Sequence, residues 1–140
     1  MPSPLVRCVV LAGVLPLLAA CENSAVAYSI EGNQHALTLI REQPYFWDDE
    51  VRQFIVAARL PHCQRKVSIH PGRTAMTEIE VFQAGDQMWA LHQGPRWYLA
   101  STEECRVQDW DNAAGTPPGP LVGRFQLKDG SAVFTVAAGE

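Results

Sequence analysis

The chain has 140 residues, a formal net charge of −4 and a mean hydropathy of −0.07. That length suits one domain with its own core once an N-terminal leader is set aside, and is too short for two. Removing Arg7 with the leader takes the basic residues from eleven to ten, against fifteen acidic ones. No basic block remains of the kind that neutralises phosphates, so a nucleic-acid partner is not expected.

The first element is the leader. Arg7 precedes an uncharged apolar run over residues 8–18, which ends in Leu18, Ala19, Ala20 and Cys21. A bilayer span takes about 20 apolar residues. This run is shorter, is interrupted by Gly13 and Pro16, and lacks the polar face of a surface helix. A charged start, an apolar middle and small residues at a cleavage site describe an export signal. With cysteine directly after Ala20, the segment resembles a bacterial lipoprotein signal peptide and its lipobox. The resemblance covers the leader alone, and the globular part resembles no family.

That resemblance implies removal of residues 1–20 and a thioether-linked diacylglycerol on Cys21, with further acylation of its new amino group. One acyl chain holds a protein only marginally, at about 0.8 kcal/mol per buried CH₂, so two or three anchor it firmly. The implied location is the periplasmic face of a membrane. Aspartate after the cysteine is the usual inner-membrane retention signal, and Glu22 stands there instead, which favours the outer membrane. Residues 21–26 are expected to be a lipidated start and short tether, with strand pattern beginning near Val26 or Tyr28. At ~3.3 Å per extended residue such a tether holds the domain within roughly 15–20 Å of the bilayer.

Residues 27–140 are expected to form one β-rich domain. From His35, Leu37 and Leu39 fall on one face and Thr38 and Glu42 on the other, in a segment reaching Trp47 before Asp48 and Asp49 turn it. Over residues 52–60, Phe54, Val56, Ala58 and Leu60 share one face. Val51, Phe54, Ile55 and Ala58 also match helical spacing behind a capping Asp48, so a short helix near 49–60 competes with a strand. β-branched content and the Leu60-Pro61 ending favour the strand. A short strand over 67–69 should stop at the Pro71-Gly72 break.

Residues 77–83, 87–92 and 96–101 read as a three-stranded meander with Ile79 and Val81 inward. Residues 109–120 carry Asn112, Gly115, Pro117, Pro118, Gly119 and Pro120 and should be irregular. Asp129-Gly130 is a type I′ turn signal, pairing Lys128 with Ser131, Leu127 with Ala132 and Phe125 with Phe134. Phe125, Leu127, Ala132 and Phe134 then share one face, so turn chemistry and apolar pattern agree. The sum is an all-β fold of about seven or eight strands, a small antiparallel barrel or sandwich.

Cys63 and Cys105 remain after the leader and Cys21 are assigned, and an even pair in an oxidising compartment reads as a disulfide. It would close a loop of about 43 residues, worth roughly 4 kcal/mol on the chain-entropy account. A metal site is the competing reading, because His62 adjoins Cys63 and His70 follows. The spacing fits no regular zinc pattern, and neighbours on a strand point to opposite faces, so no metal or other cofactor is expected.

Catalytic signatures are also missing. Asp48, Asp49 and Glu50, Glu103 and Glu104, and Asp109 and Asp111 sit at turns and strand ends, where carboxylates are simply solvated. The segment from Asp109 to Asn112 lacks the glycine and distal glutamate of a calcium loop. No serine lies in a nucleophile elbow, and no phosphate-cradling glycine loop is present. The expectation is a protein without enzymatic activity.

Aromatic residues are the remaining candidates. Tyr45, Phe46 and Trp47, and Arg96, Trp97 and Tyr98, place rings on both faces of strands, so one ring of each set should point away from a single core. Rings beside arginine are common in binding surfaces. Trp47, Arg96, Trp97, Tyr98 and Trp110 are the predicted binding surface. The corresponding function is an envelope lipoprotein, held to the membrane by lipid on Cys21, that binds a protein partner close by. The alternative is a lysozyme-inhibitor-like lipoprotein, by likeness of size, anchor, disulfide and strand-rich pattern.

Overall fold

A computed structural model describes residues 22–138, and all of its regular elements are strands. The leader and Cys21 lie outside the described residues, as does every expectation attached to them. One sheet contains β1 (Asn23–Glu31), β2 (His35–Glu42), β3 (Glu50–Arg59) and β4 (Cys63–Arg73), in that order. The other contains β5 (Ile79–Gly85), β6 (Met88–Gln93), β7 (Arg96–Ser101), β8 (Arg106–Asp109), β9 (Leu121–Lys128) and β10 (Ser131–Val136), ordered β10-β9-β5-β6-β7-β8. All the pairings are antiparallel. The two sheets pack as a sandwich rather than closing into a barrel, with ten strands among the described residues.

The core lies between the sheets. Leu37, Leu39, Ile55 and Ala57 from the first meet Ile79, Val81, Leu91 and Phe125 from the second, all fully buried. The last hairpin has the expected register, with Lys128 opposite Ser131 and Phe125 opposite Phe134. Asp129 and Gly130 take φ of 52° and 80°, the left-handed pair that a type I′ turn requires. The meander is likewise present as β5, β6 and β7. Cys63 and Cys105 form a disulfide with Cα atoms 5.9 Å apart, joining the start of β4 to the β7–β8 turn and so one sheet to the other.

Three expectations are corrected, while the favoured strand over residues 50–59 holds: β3 is flanked by β2 and β4 and takes its hydrogen bonds from both, so the competing helix does not form. The core face of β3 is Val51, Gln53, Ile55 and Ala57, while Phe54 lies outside under the Lys66 ammonium, 4.2 Å from the ring centre. Register decides this. Leu37 pairs with Ala57 and Leu39 with Ile55, so the buried leucines of β2 fix the face of β3.

The Pro71-Gly72 break is in fact a bulge. Val51 pairs with Gly72 and Gln53 with Ile69, leaving His70 and Pro71 opposite a single residue. An edge strand tolerates this, since a proline there leaves no ladder donor unmet. Finally, β1 begins at Asn23, not near Val26. Asn23, Ser24 and Ala25 carry no strand propensity of their own, and pairing with β2 draws them in, Ser24 against Arg41. Residues 23–26, expected as tether, are therefore part of the first sheet.

Candidate interaction surface

The chain enters the fold at one end of the sandwich, and the residues that organise this end are polar. Leu37 and Leu39 point into the core, and strand alternation carries Arg41 in after them. Arg41 is fully buried. Its guanidinium donates to the Glu22 carboxylate, to the Arg73 carbonyl and, at 3.3 Å, to Gln53 Oε1. Burial pulls the Arg41 pKa down from its ordinary value, and the Glu22 charge and hydrogen bond push it back. Gln53 completes the set by donating to the His70 carbonyl at 2.9 Å. Its amide packs so closely on Gly72 that a Cβ there would stand 2.9 Å from Oε1. One buried cation therefore ties Glu22, β2, β3 and β4 together.

Gln43, two residues further along the same face, fixes the loop that follows. Its backbone N–H donates to Glu22 O at 2.7 Å, and its Oε1 accepts from Glu22 N at 2.9 Å. Its side-chain NH₂ donates to the carbonyls of Tyr45 (3.1 Å) and Asp48 (2.7 Å). The strand expected to reach Trp47 has ended at Glu42, and residues 43–49 form a pinned loop. At its far side Arg73 holds Asp49 through two contacts of 2.8 and 2.9 Å, and this pairing raises the Arg73 pKa.

On the crest of that loop Tyr45, Phe46 and Trp47 are 48%, 58% and 71% exposed. Tyr45 and Trp47 stack with centroids 4.9 Å apart, and Phe46 meets Trp47 edge-on at 5.1 Å. The three rings form one apolar tip on a hydrogen-bonded base.

The five predicted surface residues separate. Tyr98 belongs to the core and accepts the His70 N–H on its hydroxyl at 3.0 Å. Trp97 does point away from the core, as alternation requires, but it too is buried. The outer face of the second sheet carries a small apolar cluster of Phe82, Ala90 and Trp97, and Trp110 and Leu121, at the two ends of the irregular stretch, pack over it. Trp97 stacks on His92 at 4.1 Å and meets Trp110 edge-on at 5.7 Å. Trp97 and Tyr98 are thus corrected from surface to interior: one is covered by the opposite sheet, the other by residues 110–121. Arg96 stays exposed and Trp110 half-buried, both lining one hollow, while Trp47 sits apart on the tip.

Three shallow hollows adjoin one another around this end. The first is walled by Asp48, Asp49 and Arg73, the second by His70, Arg73, Gln93 and Arg96, the third by Arg96, Trp110 and Asp111. Their volumes are about 260, 290 and 470 Å³. Small-molecule sites enclose most of a ligand in mainly apolar walls. These hollows are open and edged by exposed charges, the relief that suits a protein surface. Arg96 has no carboxylate within ion-pair distance among the described residues. Buried Gln93, which lines the middle hollow, leaves its Oε1 without a hydrogen bond among the described residues. A second polar cluster lies on the outer sheet face, where Glu80 contacts His92 at 3.0 Å and Arg124 at 3.8 Å. No group of His, Cys, Asp and Glu among the described residues is arranged to hold a metal.

The Arg41 network was missed from sequence, although a signal was present. Leu37, Leu39, Arg41 and Gln43 share one parity, and a charge on a core face is rare enough to mark a paired group. Its partner Glu22 lies in the segment expected as tether. No protein-family model, curated protein sequence or solved structure matches the chain.

Proposed function

We propose that this protein is a lipid-anchored envelope component, held through Cys21 at the periplasmic face of the outer membrane. It binds a protein partner at that membrane without catalysing a reaction. The observation that carries this reading is the position of Glu22. The residue after the lipid-bearing cysteine is already hydrogen-bonded into the fold, so the domain has almost no free tether. A domain held this close cannot reach across the periplasm, and its partner must come to the same membrane. The shallow, charged hollows at the chain-entry end supply a surface for it, with Arg96 and Trp110 as the contact pair.

The test is co-purification from detergent-solubilised envelopes after cross-linking in intact cells. One partner should be recovered with the native chain, lost with Arg96→Glu or Trp110→Ala, and lost again when Cys21→Ser frees the domain. Recovery unchanged by either surface variant would overturn the assignment of the surface. A lysozyme-inhibitor-like role stands second, supported by the small all-strand sandwich and its cross-sheet disulfide. It predicts that the purified protein slows lysozyme in a cell-wall turbidity assay and that the deletion strain is lysozyme-sensitive.

A further inference from the structure

We infer that the tip formed by Tyr45, Phe46 and Trp47 is a second membrane contact, seated in the interfacial layer of a zwitterionic bilayer beside the lipid on Cys21. This rests on the lipid-anchor reading above and adds to it an orientation for the whole domain.

Position comes first. Consecutive Cα atoms are about 3.8 Å apart, so on the anchor reading the acyl chains leave the polypeptide one residue before Glu22. Glu22 is bonded through backbone and carboxylate to Gln43 and Arg41. The tip starts two residues after Gln43, and the Gln43 amide holds the carbonyls on either side of its crest. From Gln43 to Trp47 the chain can span at most about 14 Å. A lipid entering the bilayer from Cys21 therefore leaves the rings within reach of the headgroup layer.

Chemistry comes second. Three adjacent large rings, exposed on one loop and in mutual contact, form a contiguous apolar patch rather than the singly scattered apolar residues of an ordinary surface. Tryptophan and tyrosine concentrate at membrane–water interfaces, where an apolar ring and a polar edge are both satisfied. The loop is already ordered by Gln43, by the turn from Asp48 N–H to Tyr45 O (3.2 Å) and by the Arg73–Asp49 pair, so little freedom is lost on insertion.

Charge selects the lipid. Asp48, Asp49 and Glu50 flank the tip, and the nearby Arg73 is engaged by Asp49. Anionic headgroups would be repelled, and contact driven by ring burial should be insensitive to salt.

The full-length chain, purified from membranes, is reconstituted into phosphatidylcholine vesicles whose acyl chains carry bromine either near the carbonyl or near the methyl end. Bromine near the carbonyl should quench tryptophan emission strongly and bromine near the methyl end weakly, at both low and high salt. Trp47→Phe should abolish that quenching, leaving the emission of Trp89, Trp97 and Trp110 unchanged. Mass spectrometry of the same sample separates the two ideas. An acylated Cys21 with no quenching of Trp47 overturns the tip contact and leaves the anchor standing. A chain without acyl groups removes the anchor, and the tip is then judged by whether vesicles alone quench Trp47. Quenching that depends on protein concentration in the absence of bromine, with a dimer in sedimentation that Trp47→Ser dissociates, would assign the tip to a second copy and overturn the membrane contact.

Discussion

The two ends of this sandwich are secured by different means. At one end the Cys63–Cys105 disulfide joins the sheets, and around it the loops are drawn in by small polar contacts. Thr102 is fully buried there, its hydroxyl 2.6 Å from the His35 ring and its carbonyl accepting from Arg59 at 3.1 Å. At the other end a buried arginine gathers four segments of chain, with no covalent link among the described residues. The exposed rings and open hollows belong to this second end. A disulfide stabilises chiefly by restricting the unfolded chain, whereas a buried ion pair fixes geometry and contributes little net stability. The covalent end thus supplies stability, and the ionic end supplies the fixed placement of Glu22, the tip and the hollows.

Changes at each end should therefore differ in size and in kind. The largest effect is expected from Cys63→Ala with Cys105→Ala. The 42-residue separation gives a loss of about 4 kcal/mol, read as a lower urea midpoint that the native protein reproduces only in reductant. A smaller effect is expected from Glu22→Ala, which leaves the Arg41 guanidinium buried without its counter-charge. Removing one partner of a fully enclosed pair costs about 3–5 kcal/mol, and Glu22, 21% exposed, should fall near or below the lower bound. Hydrogen exchange should rise in β1 and in the 43–49 loop and stay unchanged around the disulfide. Uniform loss of protection would show that the two ends are not independent. The smallest change in stability should come from replacing Tyr45, Phe46 and Trp47 together by Ser. Exposed positions usually contribute within about 0.5 kcal/mol each, so the urea midpoint should scarcely move while membrane contact is lost.

The parts of this fold that were legible in the sequence are those where two local signals agree. Asp129-Gly130 demands a left-handed turn, and the apolar residues counted outward from it match in pairs. Ile79 and Val81 alternate with Glu78 and Glu80 between clear turns. Legibility failed where the partner strand decides. Residues 50–59 offer an apolar set on either parity, and only pairing with Leu37 and Leu39 selects Ile55 over Phe54. Asn23, Ser24 and Ala25 have no strand signature apart from their neighbour β2. Pro71 and Gly72 break a ladder in general but not in an edge strand that can bulge around Gln53.

The candidate surface shows the same division. Rings on both faces of β7 follow from alternation, and both faces do carry them. The covering of Trp97 by Trp110 and Leu121 depends on the path of an irregular stretch that has no periodicity to read. The aromatic triplet was visible as composition. Its clustering at the chain-entry end arises from Gln43, whose contacts across 21 residues to Glu22 leave no trace in local pattern.

The acyl group on Cys21 is the claim on which the location, the short tether and the orientation all depend. Mass spectrometry of the N-terminal peptide from membrane-purified protein tests it directly. The predicted result is a peptide beginning at Cys21 and carrying diacylglycerol on sulfur. A peptide beginning at Met1, or an unmodified Cys21 in protein that remains with the membrane, would contradict it.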